Sequence, residues 1–478
     1  MKRFVEGEDR RQAVLLPEYL DDYVSEENPV RVIDAFVDAL DLGVLGFAGV
    51  VPEATGRPAY HPGLLLKIYV YGYINQIASS RRLEREAQRN VEMMWLAGRL
   101  APDFKTIADF RKDNGPAIRA TCRRFIDLCR RLDLFSHAVA AIDGSKFKAV
   151  NARDKNFTKA KLKKRMDQVE ASIERYMAAL ETADRQEGEL AQAKSVRLKD
   201  KIAALREQMA AFKALEPVVH AAPSQQVSLT DPDARSMATS GRGSGMVGYN
   251  VQAAVDAQHH LIVAHEVSNV GNDRAQLANM AGQAKAAMGA DTLDVLADRG
   301  YFSGEEVLAC EPLGVTPYVP KPLTSGAKAK GRFGKQDFVY VAEDDVYRCP
   351  AGERLTRRFT SVEDGMTLYV YWTTRCADCP LKQQCTSGKE RRIKRWEHEA
   401  VIDAMQERLD RRPDAMRIRR ATVEHPFGTL KAWMGATHFR TRTLEKVKTE
   451  MSLHVLAYNL KRVIAMLGPQ SMIEAIRA

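Results

Sequence analysis

Long apolar runs are missing from this sequence. No segment approaches the roughly 18 consecutive apolar residues that a membrane-spanning helix requires. The opening residues Met1–Glu8 are charged and lack the apolar core of a secretory signal peptide. These two absences argue against an integral membrane protein and against an exported one. We therefore expect a cytoplasmic protein without a membrane partner.

Cysteine is also scarce. The chain has seven cysteines, an odd number, and without an export signal they argue against a disulfide framework. Disulfides are also unnecessary, because 478 residues are enough for about two to four domains with cores of their own.

Acidic residues are outnumbered by basic ones. The sequence contains 72 Lys and Arg against 62 Asp and Glu, which gives a net charge of +10 and a pI near 9.1. Such an excess favours a polyanionic partner through long-range attraction and counterion release. Net charge alone is weak evidence for nucleic acid, because many cytosolic proteins are mildly basic.

Three acidic residues occupy positions typical of a metal-dependent phosphoryl-transfer enzyme. Asp143 and Asp298 end short apolar runs with glycine close behind, a pattern that predicts a strand followed by a turn. Glu424 lies in an arginine-rich segment that we predict to be mainly helical. Mg²⁺ is normally held by one or two carboxylates with water and phosphate oxygens, so three carboxylates are enough for two ions. The sequence therefore predicts a site that cuts DNA.

The segments around these carboxylates carry a family resemblance. They are Ala141–Lys146, Gly248–Asp256 followed by Asp294–Tyr301, and Arg420–Lys431. In this order they resemble bacterial insertion-sequence transposases of the Asp-Asp-Glu (DDE) type. The resemblance implies an α/β catalytic domain with a mixed, ribonuclease-H-like sheet. It also implies two Mg²⁺ or Mn²⁺ ions at Asp143, Asp298 and Glu424.

The family places its glutamate in a Tyr-x-x-Arg-x-x-x-Glu-x-x-x-x-x-x-Lys pattern. Arg420 and Lys431 match this pattern, whereas Arg417 occupies the tyrosine position. The resemblance implies that Arg420 and Lys431 contact the DNA backbone. Surface ion pairing is the alternative, and for Lys431 we favour phosphate contact.

Two other features near Glu424 bear on its assignment. Glu445 and Glu450 compete with it for the role of third carboxylate, but neither lies in the family pattern. Pro426 would remove a helical hydrogen bond, so we expect a kink or a helix boundary beside Glu424.

The resemblance also implies a reaction and its partners. Water would first free a 3′-hydroxyl at the element end, and that hydroxyl would then attack target DNA. The partners would be double-stranded DNA, both terminal inverted repeats and target, and a second protomer in a homodimer on the DNA. A plain metal-dependent nuclease and an inactive, domesticated DNA-binding protein are the alternatives.

Residues 1–135 are predicted to form an all-helical DNA-binding module. Asn28 and His61, each followed by proline, are predicted to begin helices. Thr106 is a predicted cap, with Asp109 as its box partner. An amphipathic helix follows, and its basic residues are predicted either to form a solvated face or to bind phosphates as a group: Arg119, Arg123 and Arg124.

Residues 158–216 are predicted to form an antiparallel helical hairpin. Apolar residues alternate spacings of three and four in two arms separated by Gly188, which is typical of a coiled coil. The hairpin is either a structural spur or an arm that contacts DNA or a second protomer. From Pro217 to Gly245 the sequence is rich in Pro, Ser and Gly and predicts a mobile loop.

The predicted catalytic domain is discontinuous, with segments 136–157, 217–320 and 396–468. Tyr249–Val255 and Leu261–Val267 are predicted strands. Two helices are predicted to begin at polar caps, one at Asn272–Asp273 and one at a capping box of Ser303 with Glu306. The C-terminal helix is predicted to place one apolar stripe against the sheet.

Residues 321–395 are predicted to form a cysteine-containing insertion. A CxxC knuckle and two further cysteines supply the thiolates of a structural Zn²⁺ site: Cys349, Cys376, Cys379 and Cys385. Free buried cysteines are the alternative. The aromatic residues of Leu368–Thr373 are predicted to belong to a core more than to a base-stacking surface.

Overall fold

The computed structural model of the chain describes residues 19–52, 54, 58–135, 138–185, 188–222, 224–237, 245–322 and 326–478. It is a mixed α/β structure with a helical N-terminal part and a mixed sheet, as predicted. No helix among these residues is long and apolar enough to cross a membrane.

The N-terminal part consists of the helices α1 (Pro29–Asp38), α2 (Pro62–Ile74), α3 (Ser80–Ala87), α4 (Val91–Leu96), α5 (Phe104–Asp113) and α6 (Gly115–Arg131). The predicted starts of α1 and α2 are confirmed, because the side chains of Asn28 and His61 accept hydrogen bonds from the first turns. The predicted cap at Thr106 is wrong. Asp103 caps α5 instead, accepting hydrogen bonds from the N–H groups of Lys105 and Thr106 at 2.9 and 3.0 Å.

Strand β1 (Val139–Lys148) leads through β2 (Asn156–Thr158) into a helical hairpin. Helices α7 (Lys159–Asp184) and α8 (Glu189–Ala221) run antiparallel, and β3 (Gln226–Ser228) pairs with β2 at their base. Gly188 lies between them with a φ of 126°, in the region that favours glycine. The loop predicted to begin at Pro217 is wrong at its start, because packing of the buried Val219 keeps α8 helical. Residues 238–244 of that loop lie outside the described residues.

The first sheet has six strands and contains β1. Its other strands are β4 (Arg235–Met237), β5 (Met246–Asp256), β6 (Ile262–Ser268), β7 (Leu293–Ala297) and β8 (Val315–Tyr318). Strand β1 is antiparallel to β5 and parallel to β7. The turn predicted after Asp143 is wrong, because β5 pairs with β1 from Ala140 to Lys148 and keeps it extended past Asp143.

Two predicted helix caps beside this sheet are also wrong. Helix α9 (Leu277–Met288) begins several residues after Asp273, whose carboxylate instead accepts hydrogen bonds from side chains of β5. Ser303 precedes α10 (Gly304–Cys310) but makes no capping hydrogen bond. Glu306 instead accepts a 2.9 Å hydrogen bond from the N–H of Ala278 and so joins α10 to the start of α9.

A second, five-stranded antiparallel sheet lies in the predicted insertion. It contains β9 (Val339–Val341), β10 (Val346–Arg348), β11 (Arg354–Glu363), β12 (Met366–Trp372) and β13 (Ile393–Trp396), with the short helix α11 (Lys382–Cys385) between the last two. Tyr371 belongs to its small core, as predicted for the aromatic strand. Trp372 is only partly buried and lies beside the guanidinium groups of Arg358 and Arg392.

The C-terminal helices are α12 (Glu399–Arg411), α13 (Ala415–Gly428), α14 (Leu444–Leu467) and α15 (Pro469–Arg477). The middle of α14, Thr449–Leu460, is buried on every side, so the prediction of a single apolar stripe is wrong. It packs against α2, α6 and β6. The rings of Tyr73 and His454 are 4.5 Å apart, and the thiol of Cys122 donates to the carbonyl of Ser452 at 3.1 Å. The N-terminal helices and the first sheet consequently share one hydrophobic core.

Candidate active site

Two of the three predicted carboxylates meet at neighbouring strands of the first sheet. In the parallel register of β1 and β7, Ile142 lies opposite Ala297, and Asp143 and Asp298 are the next residues on each chain segment. Burial is the largest cause that raises the pKa of Asp143 to about 6, and the charge of Asp298 acts in the same direction. The two carboxylates are therefore close enough to repel each other.

An arginine that the sequence analysis missed pairs with Asp143. Arg419 Nη2 lies 2.7 Å from Asp143 Oδ1, and the two side chains are only 14% and 25% exposed. Helix α13 delivers this guanidinium, because it packs across β1, β5 and β7. Arg419 falls on the buried face of α13 together with Ala415 and Thr422. The spacing of three and four residues from these positions is the sequence signal that could have found it.

Glu424 lies on the same helix but on a more exposed face. It is five residues after Arg419, or about 7.5 Å along the axis at ~1.5 Å per residue. Its side chain is exposed and forms no hydrogen bond or ion pair within the described part of the chain. Nor do the described residues contain a group of three or more His, Cys, Asp or Glu arranged to hold a metal ion. The structure therefore brings Asp143 and Asp298 together without Glu424 in a shared ligand group.

The two competing glutamates have other roles. Glu450 is fully buried and accepts hydrogen bonds from the N–H groups of Arg440 and Thr441 and from the Thr441 hydroxyl. It therefore fastens the loop before α14. Glu445 forms ion pairs with Arg119 at 3.3 Å and Lys448 at 3.1 Å.

The segment after Glu424 changes its helical winding. Helix α13 continues through Pro426 and becomes a π-helix at Thr429–Trp433, so the boundary expected beside Glu424 lies several residues later. This π-helical segment carries Lys431. The Lys431 ammonium donates to the Ser145 hydroxyl at 2.6 Å and to the Lys146 carbonyl at 3.0 Å. Lys431 thus fastens the helix to β1 beside Asp143, while Arg420 is exposed to solvent.

The predicted DNA-binding arginines of α6 line a cavity. Arg119, Arg123 and Arg124 border a space of about 580 Å³ between α6, β6, α9 and α14. Arg119 also donates to the hydroxyl of Thr449 at 3.3 Å. The side chains of Arg123 and Arg124 are exposed, and that of Arg124 lies 4.0 Å from the Asp127 carboxylate.

The four cysteines of the second sheet surround one small cavity. Cys349, Cys376, Cys379 and Cys385 all line it, and each is a partly exposed free thiol. Burial raises the pKa of Cys385, Arg391 opposes this, and the other three thiols add to it. The four thiols therefore lie within electrostatic range of one another, although they do not form a metal-binding group in this structure.

Two segments of the chain match known protein families. Residues 18–113 match a transposase domain (DUF772), and residues 348–464 match a transposase DDE domain. The first match covers α1 to α5, and the second contains the four cysteines and Glu424 but neither Asp143 nor Asp298. No curated protein and no solved structure matches the chain significantly.

These two matches support an insertion-sequence transposase of the DDE type. Proteins of this type are enzymes that act on DNA, which agrees with the net charge of +10.

Proposed function

We propose that this transposase cuts DNA at the ends of its element and transfers the freed strands into target DNA. Asp143, Asp298 and Glu424 are its catalytic carboxylates. The observation that carries the proposal is the adjacency of Asp143 and Asp298 on parallel strands, with α13 packed across both. That arrangement also supports a ribonuclease-H-like catalytic domain, interrupted by the helical hairpin and by the second sheet.

The donor set fits a hard divalent cation. Asp143 and Asp298 would hold Mg²⁺ or Mn²⁺, since both cations prefer carboxylate and water oxygens. Two such ions, when bound, polarise the scissile phosphate and lower the pKa of an attacking water. A largely buried carboxyl whose pKa is about 6 gains more from a nearby cation than an exposed carboxyl does.

The residues around the carboxylates have separate tasks in this proposal. Arg419 balances the charge of Asp143 when no cation is present. Lys431 holds the π-helical segment against β1 through Ser145. Glu424 is exposed on α13. In this proposal it joins the two aspartates as a ligand only when DNA binds. Arg420, which is exposed, contacts a DNA phosphate in this proposal, in a homodimer assembled on the element ends.

A strand-transfer assay with Asp143→Asn, Asp298→Asn and Glu424→Gln tests the proposal. Each variant should cleave DNA at least about 100-fold more slowly and still bind it. Substitution of a residue that only hydrogen-bonds to a metal ligand already lowers activity 10- to 100-fold. Glu445→Gln, an exposed glutamate on α14, is the matched control. Cut ends without joined products in the wild type would indicate a nuclease, and binding alone would indicate an inactive relative. If the Glu424→Gln variant still cleaved DNA, Glu424 would not be one of the catalytic carboxylates.

We propose in addition that the four cysteines of the second sheet bind one structural Zn²⁺. Their position around one cavity supports this, because four thiolates are a common structural zinc set with Zn–S distances of about 2.3 Å. Purified protein should contain close to one zinc per chain, and Cys379→Ser should remove it. Cys310→Ser changes a buried cysteine elsewhere and should leave the zinc content unchanged. Wild-type protein without zinc would exclude the site.

A further inference from the structure

A buried polar network lies beside Asp143 and connects β5 with the loop before α9 and the turn after β7. Gln252 on β5 donates its amide hydrogen to Asp273 Oδ1 at 2.6 Å and accepts a hydrogen bond from the Tyr301 hydroxyl. Asn250 donates to the same Asp273 oxygen at 2.6 Å. Gln252, Asn250 and Tyr301 are completely buried. The ammonium of Lys146 lies 3.6 Å from Asp273 Oδ1 and partly balances its charge.

The network reaches both catalytic aspartates. Gln252 lies opposite Gly144 in the register of β1 and β5, directly after Asp143. Tyr301 ends the 3₁₀ turn Arg299–Tyr301, which follows Asp298 directly. Asp298 Oδ1 accepts the N–H of Gly300 at 2.8 Å, so Tyr301 anchors the turn that orients Asp298.

Gly144 shows how closely the network approaches Asp143. A Cβ atom on Gly144 would lie 2.5 Å from Gln252 Nε2 and 2.7 Å from Asp273 Oδ1. Real Cβ atoms do not approach other atoms this closely. The glycine that follows Asp143 is therefore required by the network and not by a turn, since β1 continues through it.

We propose that Asp273, acting through Gln252 and Tyr301, is a positioning residue that fixes the Asp143 and Asp298 carboxylates in the geometry that binds divalent metal. This inference rests on the proposed function. A buried polar network in which every hydrogen bond is formed favours a single arrangement of its side chains. Any other arrangement would leave a buried polar group with neither a protein partner nor water, which costs free energy. Substitution of a residue that hydrogen-bonds to a metal ligand typically lowers metal affinity 10- to 100-fold.

The first test compares two buried tyrosines. Tyr301→Phe removes the hydroxyl that holds Gln252 and keeps the ring. Tyr249→Phe is the matched control, because Tyr249 is buried on β5 and donates to Asp231 at 2.9 Å. Calorimetric titration of the DNA-free protein with Mn²⁺ gives the Kd, and thermal unfolding gives the stability. Tyr301→Phe should raise the Kd for Mn²⁺ about 10-fold, while Tyr249→Phe should lower the Tm and leave the Kd unchanged.

The second test separates positioning from direct metal binding by Asp273. Asp273→Asn keeps an oxygen that can accept the Gln252 hydrogen bond, whereas Asp273→Ala does not. Positioning predicts a Kd for Mn²⁺ raised about 10-fold in the alanine variant and largely rescued in the asparagine variant. Equal loss in both variants would overturn the positioning role.

The outcomes also separate this inference from the proposed function. Wild-type protein that neither binds Mn²⁺ nor cuts DNA overturns the proposed function and the inference with it. Wild-type protein that binds Mn²⁺ and cuts DNA, with an unchanged Kd in Tyr301→Phe, overturns the inference alone. Because Tyr301→Phe removes a single atom, it remains informative even if Asp273→Ala fails to fold.

Discussion

Glu399 on α12 connects this helix to Lys335 of the insertion and to β13 of the second sheet. Its carboxylate accepts hydrogen bonds from Lys335 at 2.7 Å, Lys321 at 3.1 Å and the N–H of Trp396 at 3.1 Å. Burial by itself raises the pKa of Glu399, but the two ammonium groups and the N–H outweigh it and lower the pKa to about 2. The side chain is only 7% exposed, so solvent screens these interactions weakly.

This lowered pKa predicts a pH-dependent stability. A carboxylate whose pKa falls on folding stabilises the protein above the ordinary value of 4.5 and loses that contribution as the pH falls toward 2. The lowering corresponds to roughly 3 kcal/mol. Glu399→Gln should therefore reduce the free energy of unfolding by about that amount at pH 7, and the difference from wild type should shrink below pH 4.5.

Urea unfolding of both proteins between pH 7 and pH 3 measures the difference. Glu363→Gln is the control, because its partner Lys394 is 50% exposed and such pairs contribute less than about 1 kcal/mol. A gap between wild type and Glu399→Gln that stayed constant down to pH 3 would contradict the assigned pKa.

At the scale of single residues, the sequence indicated which acidic side chains end strands, but not which side chains they contact. Asp143 and Asp298 follow from apolar runs that are visible in the sequence. Arg419 and Asp273 do not, because their roles depend on which side of α13 faces β1 and on which loop passes β5. The cap assigned to Thr106 failed for a related reason: Asp103 is equally suited to capping and lies three residues earlier.

The helical hairpin, like the second sheet, has a core of its own. Its buried residues form a cluster separate from the main core: Phe157, Leu162, Val169, Phe212 and Val219. The rings of Phe157 and Phe212 are 5.5 Å apart at the base, and Ser195 donates to Asp184 at 2.7 Å near the tip. Separate packing predicts that the hairpin can open while the first sheet remains folded.

Phe212→Ala tests this separation. The truncation should cost the hairpin about 3–4 kcal/mol, since it removes a ring from a small cluster. Hydrogen exchange should rise in α7 and α8 and remain unchanged in β1, β5 and β7. Val196→Ala on the same helix, 59% exposed, should have no such effect. Exchange that rose equally across the first sheet would show that the hairpin and the sheet unfold together.

Helices and strands were predicted with different success for a physical reason. The hairpin arms and α2 carry local periodicity and end at glycine or begin at proline, so their existence follows from neighbouring residues. The length of β1 does not, because it depends on pairing with β5 about 100 residues away. The π-helical turn at Lys431 likewise depends on a contact with Ser145 that no local pattern reports.

At the scale of the whole molecule, positive charge is the property that bears on DNA. The chain carries a net charge of +10, and the exposed Arg123 and Arg124 lie on α6 beside the large cavity. We expect both to contact phosphates when DNA is bound. Each phosphate contact contributes about 0.9 to the slope of log affinity against log salt.

Replacing both arginines by glutamine should therefore lower the salt slope of DNA binding by about 1.8. Affinity for a nonspecific duplex, measured at several salt concentrations, gives the slope. Arg411→Gln removes an exposed arginine that pairs with Glu407 and serves as the control. An unchanged slope in the double variant would show that these two arginines line the cavity but do not contact DNA phosphates.

The burial of α14 has a consequence for how this protein folds during its synthesis. The helix begins at Leu444, after α2, α6 and β6 in the chain, and packs against all three of them. The contacts it makes are therefore among the longest in sequence separation, a feature that slows folding. During synthesis, the segments that precede α14 expose the apolar surface that this helix later covers. An incomplete chain would therefore be a target for chaperones and proteases before it contacts DNA.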